Sequence, residues 1–169
     1  MDKWHHHKSR RRGKFVLSMK KEFTEILDQL PYAPPFRFVD GLTLLTPESV
    51  EGFYTFHAES EFYKGHFKDF PVTPGVLLTE CCAQIGLVCL GIYLSGSTGE
   101  VLPEGAAVAM TESEMEFLKP VFPGERVRVR GEKVYFRFQK LKAKVFLYTA
   151  NGELACRGQI AGIIKSVDR

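Results

Sequence analysis

The sequence predicts an α+β domain in which an antiparallel β-sheet wraps around one long central helix. Three observations carry this reading. Between Val76 and Leu94 the chain is almost wholly apolar, interrupted by one carboxylate, Glu80, and one amide, Gln84, which leaves no polar stripe for a solvated helix face. From Ala106 to Ile164 apolar and polar residues alternate between turn signals, the spacing of strands with one wet face. A shorter strand-like pair precedes the helix, and no repeat or linker divides the chain, so the parts form one unit.

Taken in order, Lys20 to Leu30 places Phe23, Ile26, Leu27 and Leu30 at helical spacing and predicts a short amphipathic helix. Pro31, Pro34 and Pro35 end it and force an extended segment through Phe36, Phe38 and Val39. Leu42–Leu45 and Val50–His57, joined by Thr46-Pro47-Glu48-Ser49, read as a first hairpin, and Glu61-Phe62-Tyr63 as a single helical turn. The long helix begins near Pro74 and Gly75, because proline suits a first turn where its missing N–H would be unpaired anyway. Ser95 to Gly99 reads as a flexible loop. Beyond it, Ala106–Phe117 is strand and Pro123-Gly124 a turn. Val127, Val129, Val134, Phe136 and Phe138 then form the dry side of the next strand, against Arg128, Arg130, Tyr135 and Arg137. Val145–Thr149 and Leu154–Ile164 are joined at Asn151-Gly152, the strongest hairpin signal in the chain.

At 169 residues the chain is long enough to bury a real core without disulfide or metal staples. Its net charge of +3 is misleading: the first 18 residues carry +5 and the remainder −2. A folded part that is slightly acidic argues against a nucleic-acid-binding domain. Residues 1–18, with three consecutive histidines and no apolar periodicity, read as a basic tail, disordered or added in cloning, and residues 19–169 as the single folded domain. The four cysteines, Cys81, Cys82, Cys89 and Cys156, lack C-x-x-C spacing and fit small core residues in a reducing cytoplasm. The apolar run approaches the length of a membrane span, but Glu80 and Gln84 inside it favour a buried core helix and no membrane partner.

Chemistry concentrates between Gly65 and Gln84, GHFKDFPVTPGVLLTECCAQ. His66 stands in a glycine-flanked turn, and Glu80 lies about one and a half turns into the helix among apolar neighbours. That position predicts a buried carboxylate whose partners are His66 or Gln84, the latter one turn on along the same face. A histidine, a carboxyl group and a bare helix start on adjoining segments offer what acid–base chemistry beside a carbonyl needs: a base in His66, donors for a developing oxyanion in the N–H groups at the Gly75 helix start, and an acid or hydroxyl-holding group in Glu80. No metal or cofactor is required. On the residues alone, His66 could equally cap a loop and Glu80 be a paired core acid, whereas Gln84 reads as a tie between helix and loop.

GHF, then Pro-x-x-Pro-Gly-Val, then E-x-x-A-Q, preceded by Leu30-Pro31 and Pro35-Phe36 and followed by FLKPVFPGE from Phe117 to Glu125, resembles the (3R)-hydroxyacyl-[acyl-carrier-protein] dehydratase family, whose fold is the hotdog. The resemblance runs from about Lys20 to Ile164. It implies elimination of water from a 3-hydroxyacyl thioester carried on the phosphopantetheine of acyl carrier protein, giving the trans-2-enoyl thioester in fatty-acid synthesis. It further implies His66 and Glu80 as the catalytic pair and Gly75 as the backbone donor to the thioester carbonyl, with Val76 and Gln84 as further substrate-binding residues of the same helix. A homodimer or higher homo-oligomer, in which His66 acts with Glu80 of a second copy, is implied as well.

The chain departs from the family pattern at several positions. Tyr32 stands where relatives often carry histidine, Lys68 replaces a proline after GHF, Thr73 replaces a large apolar residue before Pro-Gly, and Cys81-Cys82 replaces a small residue and methionine. Glu80, rather than the aspartate of isomerising relatives, resembles the branch that only dehydrates. Two other functions share such a fold, an acyl thioesterase and a non-catalytic acyl-thioester-binding protein, and the intact His66 and Glu80 count against the second.

Overall fold

The computed structural model describes residues 19–97 and 106–166. Residues 1–18, read above as a tail, and Thr98 and Gly99 of the expected loop lie outside the described residues. Helix α1 covers residues 19–28. After the proline-rich crossing come β1 (Gly41–Leu45) and β2 (Ser49–Thr55), a single 3₁₀ turn at Glu61–Lys64, and the long helix α2 (Gly75–Ser97). Four strands follow: β3 (Ala106–Phe117), β4 (Arg126–Arg137), β5 (Lys140–Tyr148) and β6 (Leu154–Ser166). They form one six-stranded sheet in the order β1-β2-β4-β5-β6-β3, with every pairing antiparallel.

The strict in–out alternation on β2, on β5 and in the first half of β4 turns valines, leucines and Tyr54 toward α2 and leaves charges outside. Helix α2 lies in the resulting curve: every residue from Cys81 to Ile92 is buried. By length and composition α2 could cross a membrane, but 72% of its most apolar stretch is buried inside the protein, so its hydrophobicity is accounted for by the core. Two glycines permit the closest approach. A Cβ on Gly131 of β4 would stand 2.6 Å from the Gly86 Cα, and one on Gly86 would stand 2.7 Å from Val145. The helix winding loosens to π type over Gln84–Cys89, the segment in which all six residues are buried.

Three local expectations are corrected. Helix α2 continues to Ser97 instead of breaking at Ser95, because Leu94 and Ser95 are buried and Ser97 Oγ donates back to the Tyr93 carbonyl (2.9 Å); packing here overrides the low helix propensity of serine and glycine. On β4, a register shift between Lys133 and Tyr135 breaks the alternation and turns Val134 outward. Phe138 lies outside the core altogether, 93% exposed. It forms the tight β4–β5 turn with Gln139, both at positive φ (51° and 58°), a conformation for which neither residue type gives a signal. At Asn151-Gly152 the expected turn is present, with Gly152 at φ 80°.

Candidate active site

The histidine loop is held at both ends by its own backbone. His66 N–H donates to the Phe62 carbonyl within the 3₁₀ turn (3.0 Å), and Val72 N–H donates to the His66 carbonyl (2.9 Å). The His66 ring completes the closure, with Nδ1 2.8 Å from the Val72 carbonyl oxygen. A carbonyl can only accept, so this contact puts a proton on Nδ1, and in the neutral imidazole the lone pair is then on Nε2. Phe67, joined to His66 by a cis peptide, stacks on the imidazole at 4.2 Å between centroids. The ring is therefore only partly buried, orientated and able to accept a proton.

The same loop leads directly into α2. Thr73 N–H donates to the Val121 carbonyl (2.8 Å), and the Thr73 hydroxyl is 2.6 Å from that of Tyr63. Pro74 is the N-cap, in extended conformation and without a side-chain cap. Leu77 and Leu78 N–H groups donate to the Pro74 carbonyl, whereas those of Gly75 and Val76 have no acceptor among the described residues. An uncapped first turn is where a developing oxyanion is best met. The Val76 side chain is 75% exposed. Phe117 covers Gly75 closely enough that a Cβ there would stand 3.2 Å from its ring. Both residues line a groove of about 430 Å³ that continues past Leu118 and Pro120.

Glu80 is half-buried rather than enclosed: in the first turn and a half of α2 only Leu78 is buried. Its Oε1 accepts from Gln84 Nε2 (2.9 Å), one turn along the same face. Gln84, with no exposed surface, spends its remaining capacity on the crossing segment: Nε2 also donates to the Phe36 carbonyl (2.9 Å), and Oε1 accepts from Phe38 N–H (2.7 Å). That partition fixes the amide orientation and aims an N–H at the carboxylate. Burial, and then the Glu80 charge, push the Tyr32 hydroxyl up to about 12, which places this tyrosine in the field of the acid.

The structure thus joins Glu80 to Gln84 and places His66 and Gly75 on consecutive segments. Among the described residues, however, no hydrogen bond or ion pair joins His66 to Glu80 of the same chain. His57 is exposed, as expected of a residue at a strand end. Sequence reasoning missed the Tyr63–Thr73 contact and the influence of Glu80 on Tyr32; Thr73 and Tyr32 stood out only as unusual residue types, without periodicity to mark a partner.

A sheet curved around a central helix is the hotdog architecture. Solved structures agree in fold: a chain of the dehydratase heterocomplex ApeI:P from Xenorhabdus doucetiae superposes with a TM-score of 0.67 at 10% identity, covering 83% of this chain and 91% of that one. A hypothetical thioesterase with coenzyme A from Streptococcus pneumoniae TIGR4 gives 0.54 at 14% identity, covering 76% and 87%. Sequence goes further than fold. The chain belongs to the FabA-like domain family, whose model matches residues 30–165. Among its relatives, the 3-hydroxyacyl-[acyl-carrier-protein] dehydratase FabZ of Oleidesulfovibrio alaskensis is 34% identical over 85% of this chain and 90% of its own length. The FabZ of Clostridium perfringens is 33% identical over 80% and 93%.

Proposed function

We propose that the chain is a 3-hydroxyacyl-[acyl-carrier-protein] dehydratase, a lyase that converts (3R)-hydroxyacyl thioesters into trans-2-enoyl thioesters and water during acyl-chain synthesis. His66 Nε2 removes a proton from the carbon next to the thioester carbonyl, and the Gly75 N–H stabilises the charge that develops on the carbonyl oxygen. Glu80 holds the 3-hydroxyl and, in its protonated carboxylic-acid form, delivers the proton with which it leaves as water, while His66 keeps the proton taken from carbon. Gln84 keeps the carboxylate in place. The observation that carries the reading is the His66 ring, fixed by Val72 with Nε2 free, on the loop that runs into the uncapped start of the helix bearing Glu80.

The working unit is at least a dimer with the site shared between subunits. Two observations support this: His66 and Glu80 of one chain are not joined, and apolar side chains are exposed around both halves of the site, among them Phe67, Phe70, Val76 and Phe117. The outer edge of β3, twelve residues long, is also without a neighbouring strand among the described residues. Incubation with a 3-hydroxybutyryl or crotonyl thioester tests the activity. Enoyl absorbance that changes without thiol release is the expected result; thiol release makes the protein a thioesterase, and neither signal makes it a binder.

A further inference from the structure

The Tyr63 and Thr73 side chains are almost completely enclosed, 6% and 4% exposed, and their hydroxyls meet at 2.6 Å. Between them, residues 67–71 of the histidine loop are all exposed. Apart from Phe67 on the His66 ring and Phe70 edge-on against Phe122, little packing holds the loop in register. What holds it is a ladder of cross-links. The inner rung is the pair of bonds between His66 and Val72, through Nδ1 and through the backbone. The outer rung is Tyr63 with Thr73, one residue beyond Val72 and at the foot of the helix start. The 3₁₀ turn carrying Tyr63 also receives the His66 N–H, and Thr73 is docked by its own N–H on Val121.

We propose that the buried Tyr63–Thr73 pair positions the reaction centre, locking the His66 ring and the Gly75 helix start into one rigid unit. Neither side chain is expected to touch the reacting atoms. The inference rests on the dehydratase reading above. Removing either hydroxyl strands the other in an apolar enclosure, so the loop shifts to relieve it and the Val72 carbonyl moves relative to Nδ1. Misplacement of this kind weakens the step in which the proton moves more than it weakens binding.

The test uses Tyr63→Phe, Thr73→Val, their combination, and Thr73→Ser, all close in volume to the parent. Expected are a kcat lowered roughly 10- to 100-fold with KM changed less than about threefold in each single variant, and recovery in Thr73→Ser. The double variant should be no worse than either single one, as for two groups acting as a unit. A second readout is independent of turnover: ¹⁵N shifts of the His66 ring report the Nδ1–H tautomer, which should become mixed in Thr73→Val and pure again in Thr73→Ser. Folded single variants that keep wild-type kcat and a pure tautomer overturn the inference, as does an additive double variant. An inactive wild type with the same tautomer changes would instead refute the dehydratase reading and leave the positioning role standing.

Discussion

Replacing Gln84 by leucine removes three hydrogen bonds at once while keeping the site apolar and nearly filled. The three partners do not suffer equally. Phe36 is half exposed and the Glu80 carboxylate is half-buried, so water can reach the groups they lose. Phe38 N–H, in a residue only 3% exposed, has no replacement for its 2.7 Å bond. An orphaned buried donor costs about 1–3 kcal/mol, and leucine recovers little of it, so a stability loss of roughly 2 kcal/mol is expected. With a denaturant slope near 2 kcal/mol/M, typical of urea unfolding, the midpoint should fall by about 1 M at unchanged slope. Activity should fall separately: Glu80 loses its tether, and kcat drops on the order of tenfold with KM nearly constant. A midpoint unchanged within about 0.2 M would show that the amide is not the tie between helix and crossing segment. Lost stability with wild-type kcat would show that Glu80 does not need Gln84.

Three further outcomes follow from the same geometry. Glu80→Gln keeps the shape and a hydrogen-bond donor but cannot exchange a proton, so kcat should fall by at least about a hundredfold; near-normal activity reduces Glu80 to holding the hydroxyl. Inactive His66→Ala and Glu80→Ala chains, unfolded and refolded together, should regain roughly a quarter of wild-type activity, since about half the dimers are mixed and half of their sites intact. Mixed dimers detected by mass without activity would place both residues of a site on one chain. Burial pushes the Cys81 thiol well up and that of Cys89 up to about 12, and Cys82 and Cys156 are enclosed too. A thiol reagent at mildly alkaline pH should therefore label no cysteine in the native protein and all four in denaturant; rapid native labelling would contradict the packing of α2.

What could be read from the sequence was whatever leaves a local chemical mark. The apolar run after Pro74-Gly75 has one packing solution, and Asn151-Gly152 one favoured turn, so α2 and the β5–β6 hairpin were legible. The partnership of Glu80 with Gln84 was legible as well, because four residues along a helix bring two side chains together. The β4–β5 turn was not, since Phe138 and Gln139 take a positive φ imposed by the two strands rather than favoured by their own backbones. The bulge was only half legible: the expected dry side already passes from odd to even positions between Val129 and Val134, and Phe136 does pack on the core, but nothing local marked Val134 as the extra residue that turns outward. At the site, Gln84 was legible as a tie between helix and loop, but its partners Phe36 and Phe38, like the Tyr63–Thr73 contact, depend on distant or irregular segments meeting, which no periodicity encodes.

The central claim is that the orientated imidazole of His66 is the base of a dehydration. The most direct measurement is the rate of enoyl formation from a (3R)-hydroxyacyl carrier-protein thioester by wild-type protein and by His66→Ala, with circular dichroism and melting recorded on the same samples. The account predicts a variant that stays folded and loses on the order of a hundred- to ten-thousand-fold in rate, the contribution of a positioned general base. A folded His66→Ala protein that turns over within a few-fold of wild type would contradict it.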